Sequence, residues 1–163
     1  MATRIQPAPQ KITTFLWFDN NAEEAANFYV SVFKNSRILK TARNGEGGPG
    51  PKGSVLTIDF ELDGQRITGL NGGPQFKFTE AISLVVHCET QEEIDYFWEK
   101  LSADGGEEVQ CGWLKDKFGL SWQVVPNILP ELMTGDGSKR VMKAIFGMKK
   151  LDIEELKRAA EGR

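Results

Sequence analysis

Residues 12–33, ITTFLWFDNNAEEAANFYVSVF, change periodicity halfway along. Ile12 to Phe18 is β-branched and aromatic, which suits a strand. Asp19, Asn20 and Asn21 break it and can cap a helix behind them. From Ala22 to Phe33 acid comes early, and Ala25, Ala26, Tyr29, Val32 and Phe33 recur at helical spacing. Residues 81–101, AISLVVHCETQEEIDYFWEKL, repeat that order. Aligned on their helices, the two stretches put Glu23-Glu24 over Glu92-Glu93 and Phe28-Tyr29 over Phe97-Trp98. The same register lays Thr14–Phe18 over Ser83–His87. An internal repeat of this size is the strongest organising signal in the chain.

Each copy is followed by further strands. In the first half these are Ser36–Arg43, Ser54–Leu62 and Gln65–Leu70. Asp63-Gly64 makes a hairpin of the last two. GEGGPGPKG, residues 45–53, is too rich in Gly and Pro for regular structure and reads as a loop. NGGPQFKF, residues 71–78, is a linker by composition. Gly in it permits positive φ, and Asn71 can bond neighbouring backbone. The second half continues with Glu107–Gln110, Trp113–Phe118 and Leu120–Val125, closed by Pro126. Each half therefore reads βαβββ. A sheet with one helix over it leaves its other face to be covered, by the other half or by another chain. The fold class is α+β. Helical segments come next at Ser138–Phe146 and Asp152–Ala160, with Asp152 as N-cap and Glu155 three residues on. The mixed charges of KKLDIEELKRAAEGR, residues 149–163, suit a solvated or partner-facing helix.

Composition narrows the classes. The chain has 163 residues, with 20 basic against 23 acidic side chains. That balance gives no electrostatic reason to expect nucleic acid or a membrane as partner. Two Cys are too few for a disulfide scaffold, and one His excludes most His-rich metal clusters. Residues 1–10 form a leader with no apolar core for export, so a cytoplasmic location is expected. The early glutamates of both helices are explained by the helix dipole, not by paired-carboxylate catalysis.

ITTFLWFDNNAEEAANFYVSVFKNSRI (12–38), ITGLNGGPQFKF (67–78) and QCGWLKDKFGLSWQVVP (110–126) together resemble the PhnB-like branch of the vicinal oxygen chelate superfamily. That superfamily holds glyoxalase I, bleomycin-resistance proteins and extradiol dioxygenases; the branch is labelled 3-demethylubiquinone 3-methyltransferase-like. The resemblance implies two βαβββ modules, about 11–70 and 81–126, forming a curved mixed sheet around a cavity. They would make one domain, 11–146, with a helical tail at 147–163. The chain carries no Gly-rich strand-to-helix turn of the kind that holds S-adenosylmethionine in α/β methyltransferases.

Metal-dependent members use His, Glu or Gln from the first and last strand of each half. Carried over singly, those positions fall on Thr14, Thr68, Ser83 and Gln123. Only Gln123 is a side chain such sites use, so no metal and no other cofactor is expected. Strand parity under that register turns Thr14, Leu16 and Phe18 toward the cavity, and Phe15 and Trp17 toward the helix. It also turns Ser83, His87, Ser121 and Gln123 cavity-ward, with Trp113 near the mouth. Asp116 reads either as a pocket acid or as a solvated strand-end charge. Cys111 and Cys88 read as structural, lacking a local base. The expected function is binding of a small molecule in the cavity, with an enzyme acting on a small metabolite there (lyase, dioxygenase or transferase-like) as the alternative. The resemblance also implies a homodimer.

Overall fold

The computed structural model describes residues 10–163. The leader expected over residues 1–10 lies, but for its last residue, outside the described residues. The chain divides into two compact units, the first ending at Lys77 and the second running Phe78–Arg163.

The first unit runs β1 (Thr14–Phe18), α1 (Ala22–Val32), β2 (Arg37–Arg43), β3 (Val55–Leu62) and β4 (Gln65–Asn71). Its sheet has the order β1-β4-β3-β2, with β1 and β4 parallel and the other pairs antiparallel. The βαβββ reading is therefore what the chain adopts. Across the sheet Leu16 pairs with Gly69 and Gly69 with Ile58, while Thr14 pairs with Ile67 and Ile67 with Phe60. These residues share one face. It is the helix face: Phe60 stacks on Tyr29 of α1, ring centres 6.2 Å apart. Tyr29, Ala25 and Ala26 are fully buried against it.

α1 takes its N-terminal cap from elsewhere. Asn21 makes no side-chain cap bond. Asn71, at the end of β4, accepts from the Ala22 N–H at 2.9 Å, and its Nδ2 donates to the Val55 carbonyl at 3.0 Å. One amide thus ties the helix start to two strands and satisfies an orphan donor.

The second unit repeats the plan with β5 (Ser83–Cys88), α2 (Gln91–Ser102), β6 (Glu107–Glu108), β7 (Trp113–Lys115) and β8 (Ser121–Pro126), in the order β5-β8-β7-β6. Thr90 caps α2 by accepting from the Glu93 N–H, and Glu93 reaches back to the Glu89 N–H at 2.6 Å. Leu114, Trp122, Val124, Val86 and Cys88 form the buried face of this sheet, together with Ile94, Trp98 and Leu101 of α2.

Three helices complete the unit: α3 (Leu129–Leu132), α4 (Ser138–Phe146) and α5 (Ile153–Glu161). The sequence reading found α4 and α5 but not the single-turn α3. Asp152 caps α5 as expected, accepting from the Glu155 N–H at 2.8 Å. The tail is not a solvated helix, however. Val141, Ile145, Met148, Leu151 and Leu156 form a cluster of their own, against which Cys111, Leu129 and Leu132 pack. The Cys111 and Gly112 N–H groups donate to the Met148 and Lys149 carbonyls, both at 2.8 Å. The charges of the tail occupy its outer faces, while its apolar period is spent inside the second unit.

Candidate functional site

The second sheet has an open face opposite the one it buries. Period-2 alternation puts Ser83, Val85 and His87 of β5 there, with Ser121, Gln123 and Val125 of β8 and Trp113 of β7. Gln123 pairs with Val85 on one side and Trp113 on the other. Its Nε2 donates to the Ser83 hydroxyl at 2.9 Å. Ser121 is 1% exposed, and its Oγ has no hydrogen-bond partner. An enclosed hydroxyl without a partner is costly, so this position is primed for one. His87 and Val85 are exposed on the same face. The structure therefore brings Ser83, His87, Trp113, Ser121 and Gln123 onto one surface, as the alternation of β5 and β8 required.

Asp116 is not on that surface. It is 2% exposed, which removes the solvated strand-end reading. Its carboxylate accepts from the Phe118 N–H at 2.8 Å, the Leu120 N–H at 3.1 Å and the Trp122 indole N–H at 2.8 Å. Those three donors make it the organiser of the β7–β8 turn. Lys115 beside it pairs with Glu80, which raises the ammonium and lowers the carboxyl through their mutual hydrogen bond.

The first unit departs from expectation in β1. Thr14, Leu16 and Phe18 share the helix face; Leu16 is 5% and Phe18 3% exposed. Phe15 and Trp17 take the open face, beside Thr68 and Leu70. The cause is a single residue. Three residues, 19–21, join β1 to α1, whereas two, 89–90, join β5 to α2. An alignment that matches the helices therefore slips the strands by one, and with period 2 a slip of one exchanges the faces. Thr68 stays on the open face, where its hydroxyl donates to Asp59 at 2.7 Å.

Trp17 is seated by the NGG segment. Its indole N–H donates to the Gly73 carbonyl at 2.9 Å, and Phe76 meets it edge-on at 4.9 Å. A Cβ on Gly72 would lie 2.3 Å from the Trp17 ring, so only Gly fits. Trp17 and Leu70 help wall a cleft of about 760 Å³, with Glu23, Arg43 and Asn44 among its other lining residues. Arg43 pairs with Glu23 at 3.7 Å. Sequence reasoning missed this cleft because it placed Trp17 under the helix; the NGG segment following a strand was the available signal.

The resemblance read from the sequence implies a divalent metal, so the donor set matters. With the register corrected, the β1 position beside Thr68 is Phe15, which has no donor atom. In the second unit the corresponding partner of Gln123 is Val85. Among the described residues no group of three or more His, Cys, Asp or Glu is placed to hold an ion. These residues do not fit a divalent metal.

Comparisons with known proteins agree with this architecture. The profile of the 3-demethylubiquinone-9 3-methyltransferase family matches residues 10–125. The PhnB protein of Bacillus cereus, described as such a methyltransferase, is 43% identical over 72% of this chain and 99% of its own, with a TM-score of 0.66. Protein PA1353 of Pseudomonas aeruginosa, 17% identical over 72% of this chain and 98% of its own, gives a TM-score of 0.60. The fosfomycin resistance protein FosX of Listeria monocytogenes, solved with Mn(II) and sulfate, is 16% identical over 77% of this chain and 96% of its own, at 0.52. No curated protein matches. The chain belongs to the PhnB-like 3-demethylubiquinone-9 3-methyltransferase family.

Proposed function

We propose that this protein binds a small polar molecule on the open face of its second sheet, without a metal ion. The observation that supports this reading is the row Ser83, Gln123, Ser121: a serine–amide hydrogen bond beside an enclosed hydroxyl that has no partner. A Gln amide offers donors and acceptor lone pairs, so it can orient a carbonyl or hydroxyl. Trp113 adds a flat apolar surface with one N–H donor, and His87 a polar edge. Thr68 supplies a hydroxyl on the open face of the first sheet. A homodimer and a cytoplasmic location complete the proposal; Phe15, 58% exposed, and Val85, 43% exposed, are apolar side chains on the open sheet faces that a second copy can cover. Among the described residues no helix is long and apolar enough to cross a membrane.

Thermal-shift screening of the pure protein against a metabolite library tests the reading. A ligand at a hundred times its dissociation constant adds roughly 2.7 kcal/mol to stability. Gln123→Ala is expected to fold normally and to bind that ligand about 1 kcal/mol more weakly, the net worth of a typical hydrogen bond. A ligand that shifts wild type and Gln123→Ala equally would place binding elsewhere. Elemental analysis finding one Zn, Ni, Fe or Mn per chain would overturn the metal-free part.

A further inference from the structure

Among the described residues two buried side-chain polar atoms lack a hydrogen-bond partner: Ser121 Oγ, in the row described above, and Asn44 Oδ1, in the first unit. Asn44 follows β2 and is 7% exposed. Its Nδ2 donates to the Ser54 hydroxyl at 2.9 Å and to the Ser54 carbonyl at 3.4 Å. A carbonyl can only accept, so the amide nitrogen belongs on that side and the oxygen on the other. The oxygen is covered by the glycine-rich loop 45–53, where a Cβ on Gly48 would lie 3.0 Å from Oδ1. An enclosed acceptor without a donor is costly, and here its cover is a glycine in a loop with no helix or strand.

Asn44 lines the cleft beside Trp17, at the edge where β1, β2 and β4 end and β3 begins. The side-chain donors of that cleft, the exposed Asn20 amide apart, are engaged within the chain. The Trp17 indole is on the Gly73 carbonyl, and Asn71 Nδ2 is on the Val55 carbonyl. The Ser54 hydroxyl donates to the Pro51 carbonyl at 2.5 Å, and Arg43 to the Gly53 carbonyl at 3.1 Å while it faces Glu23. The Gly72 and Gly73 N–H groups donate to the Phe18 and Asp19 carbonyls, at 2.9 and 3.1 Å. Pro49 and Pro51 have no N–H to give. What remains is acceptors: Asn44 Oδ1, and the carboxylate of Asp19, which is exposed and makes no ion pair among the described residues. With Glu23 matched to Arg43, Asp19 leaves the cleft net negative.

We propose that this cleft is a second ligand site, for an organic cation that carries N–H donors on a flat apolar body. The body lies against Trp17 and Leu70. The cationic group sits beside Asp19 and donates to Asn44 Oδ1 as Gly48 gives way. An indole face is the best of the aromatic surfaces for a cation. Trp17 is already held by its bond to Gly73 and by the edge-on Phe76 ring, so little ordering is left for binding to complete. An anion would meet Asp19 and an Arg43 already shared between Glu23 and Gly53. The site lies wholly within the first unit and shares no residue with the row Ser83, Gln123, Ser121, so it stands or falls apart from that reading.

Calorimetric titration of the full-length protein with tryptamine, benzamidine and indole-3-acetate tests the proposal. Both cations are expected to bind with dissociation constants of about a millimolar or below. Indole-3-acetate, with the ring of tryptamine and the opposite charge, binds roughly tenfold more weakly or not at all. Asp19→Asn, a change of charge without change of shape at an exposed position, weakens tryptamine by roughly tenfold, the scale of a hydrogen bond to a charged group. Asn44→Ala weakens it likewise, and circular dichroism checks each fold; where Asn44→Ala loses the fold, Asp19→Asn decides by itself. No heat from either cation overturns the site. Equal binding of tryptamine and indole-3-acetate overturns the cationic class, and tryptamine binding unchanged by Asp19→Asn overturns the placement. Tryptamine binding that Gln123→Ala abolishes and Asp19→Asn spares belongs to the second sheet and overturns this site while supporting that one.

Discussion

Asp116 shows how much one buried carboxylate holds. Its three N–H donors come from two backbone positions and one indole, all within the next six residues. Removing it leaves those donors unpaired, each at a cost of about 1–3 kcal/mol if still enclosed. Asp116→Ala is therefore expected to lower the stability by at least about 3 kcal/mol in urea denaturation; a loss under about 1 kcal/mol would mean the turn does not depend on it. Cys88 works in the opposite sense. Burial pushes its thiol up to about 12, with the Glu93 carboxylate adding to the effect. The unfolded chain releases that proton near 9 and the folded protein holds it. The thiol's contribution is thus complete below about pH 9 and is lost as pH rises toward 12. Comparing wild type with Cys88→Ala between about pH 8 and 11 is expected to show a steeper loss in wild type, by up to ~1.4 kcal/mol per pH unit. Parallel curves would refute the assignment. At this scale the sequence told little: Cys88 as a core thiol was legible from its strand, but nothing local announced that Asp116 would turn inward.

Elements were far more legible, since period and caps are local properties. The alternation of Ser54–Leu62, the Asp63-Gly64 turn and the Asp152–Glu155 cap all lie where the sequence put them. What failed were features set by distant partners. α1 comes after three residues that are all good caps, yet its cap comes from a strand about 50 positions on. Asn71→Ala is expected to cost about 1–2 kcal/mol, a helix cap plus the link to β3, whereas Asn21→Ala costs a few tenths. Equal effects in chemical denaturation would contradict the structure. The face of β1 was likewise not readable from β1 itself. TFLWF is apolar at every position after Thr14, so alternation gave no direction, and the register carried over from the resemblance supplied the wrong one. On β5, where Ser83 and His87 break the apolar run, parity could be read and the open face was found.

Over the whole molecule the tail changes what the chain can be. Leu151 is 1% exposed, and it lies against Gly112, where a Cβ would come within 3.1 Å of it. Leu151→Ala is expected to cost about 2–5 kcal/mol, the range for a leucine deleted from a packed core. An appended, solvated tail would lose under about 0.5 kcal/mol, and thermal unfolding distinguishes the two. Charge pattern alone suggested a solvated or partner-facing helix, because an amphipathic helix shows its polar face equally whether its apolar face meets its own chain or another.

The unequal connections, three residues after β1 and two after β5, limit how the halves may be traded by an engineer. Helical positions exchange at an offset of 69, strand positions at 70. A chimera that swaps strand, connection and helix as one cassette keeps both halves in phase. One that swaps the helix together with its shorter connection puts strand and helix out of step. It would drive Phe15 and Trp17 beneath the transplanted helix and turn Leu16 and Phe18 to the opposite face of the sheet. Any attempt to build a binding row on the first sheet by copying Gln123 and its neighbours must count in the strand offset, or it will plant amides in a hydrophobic core.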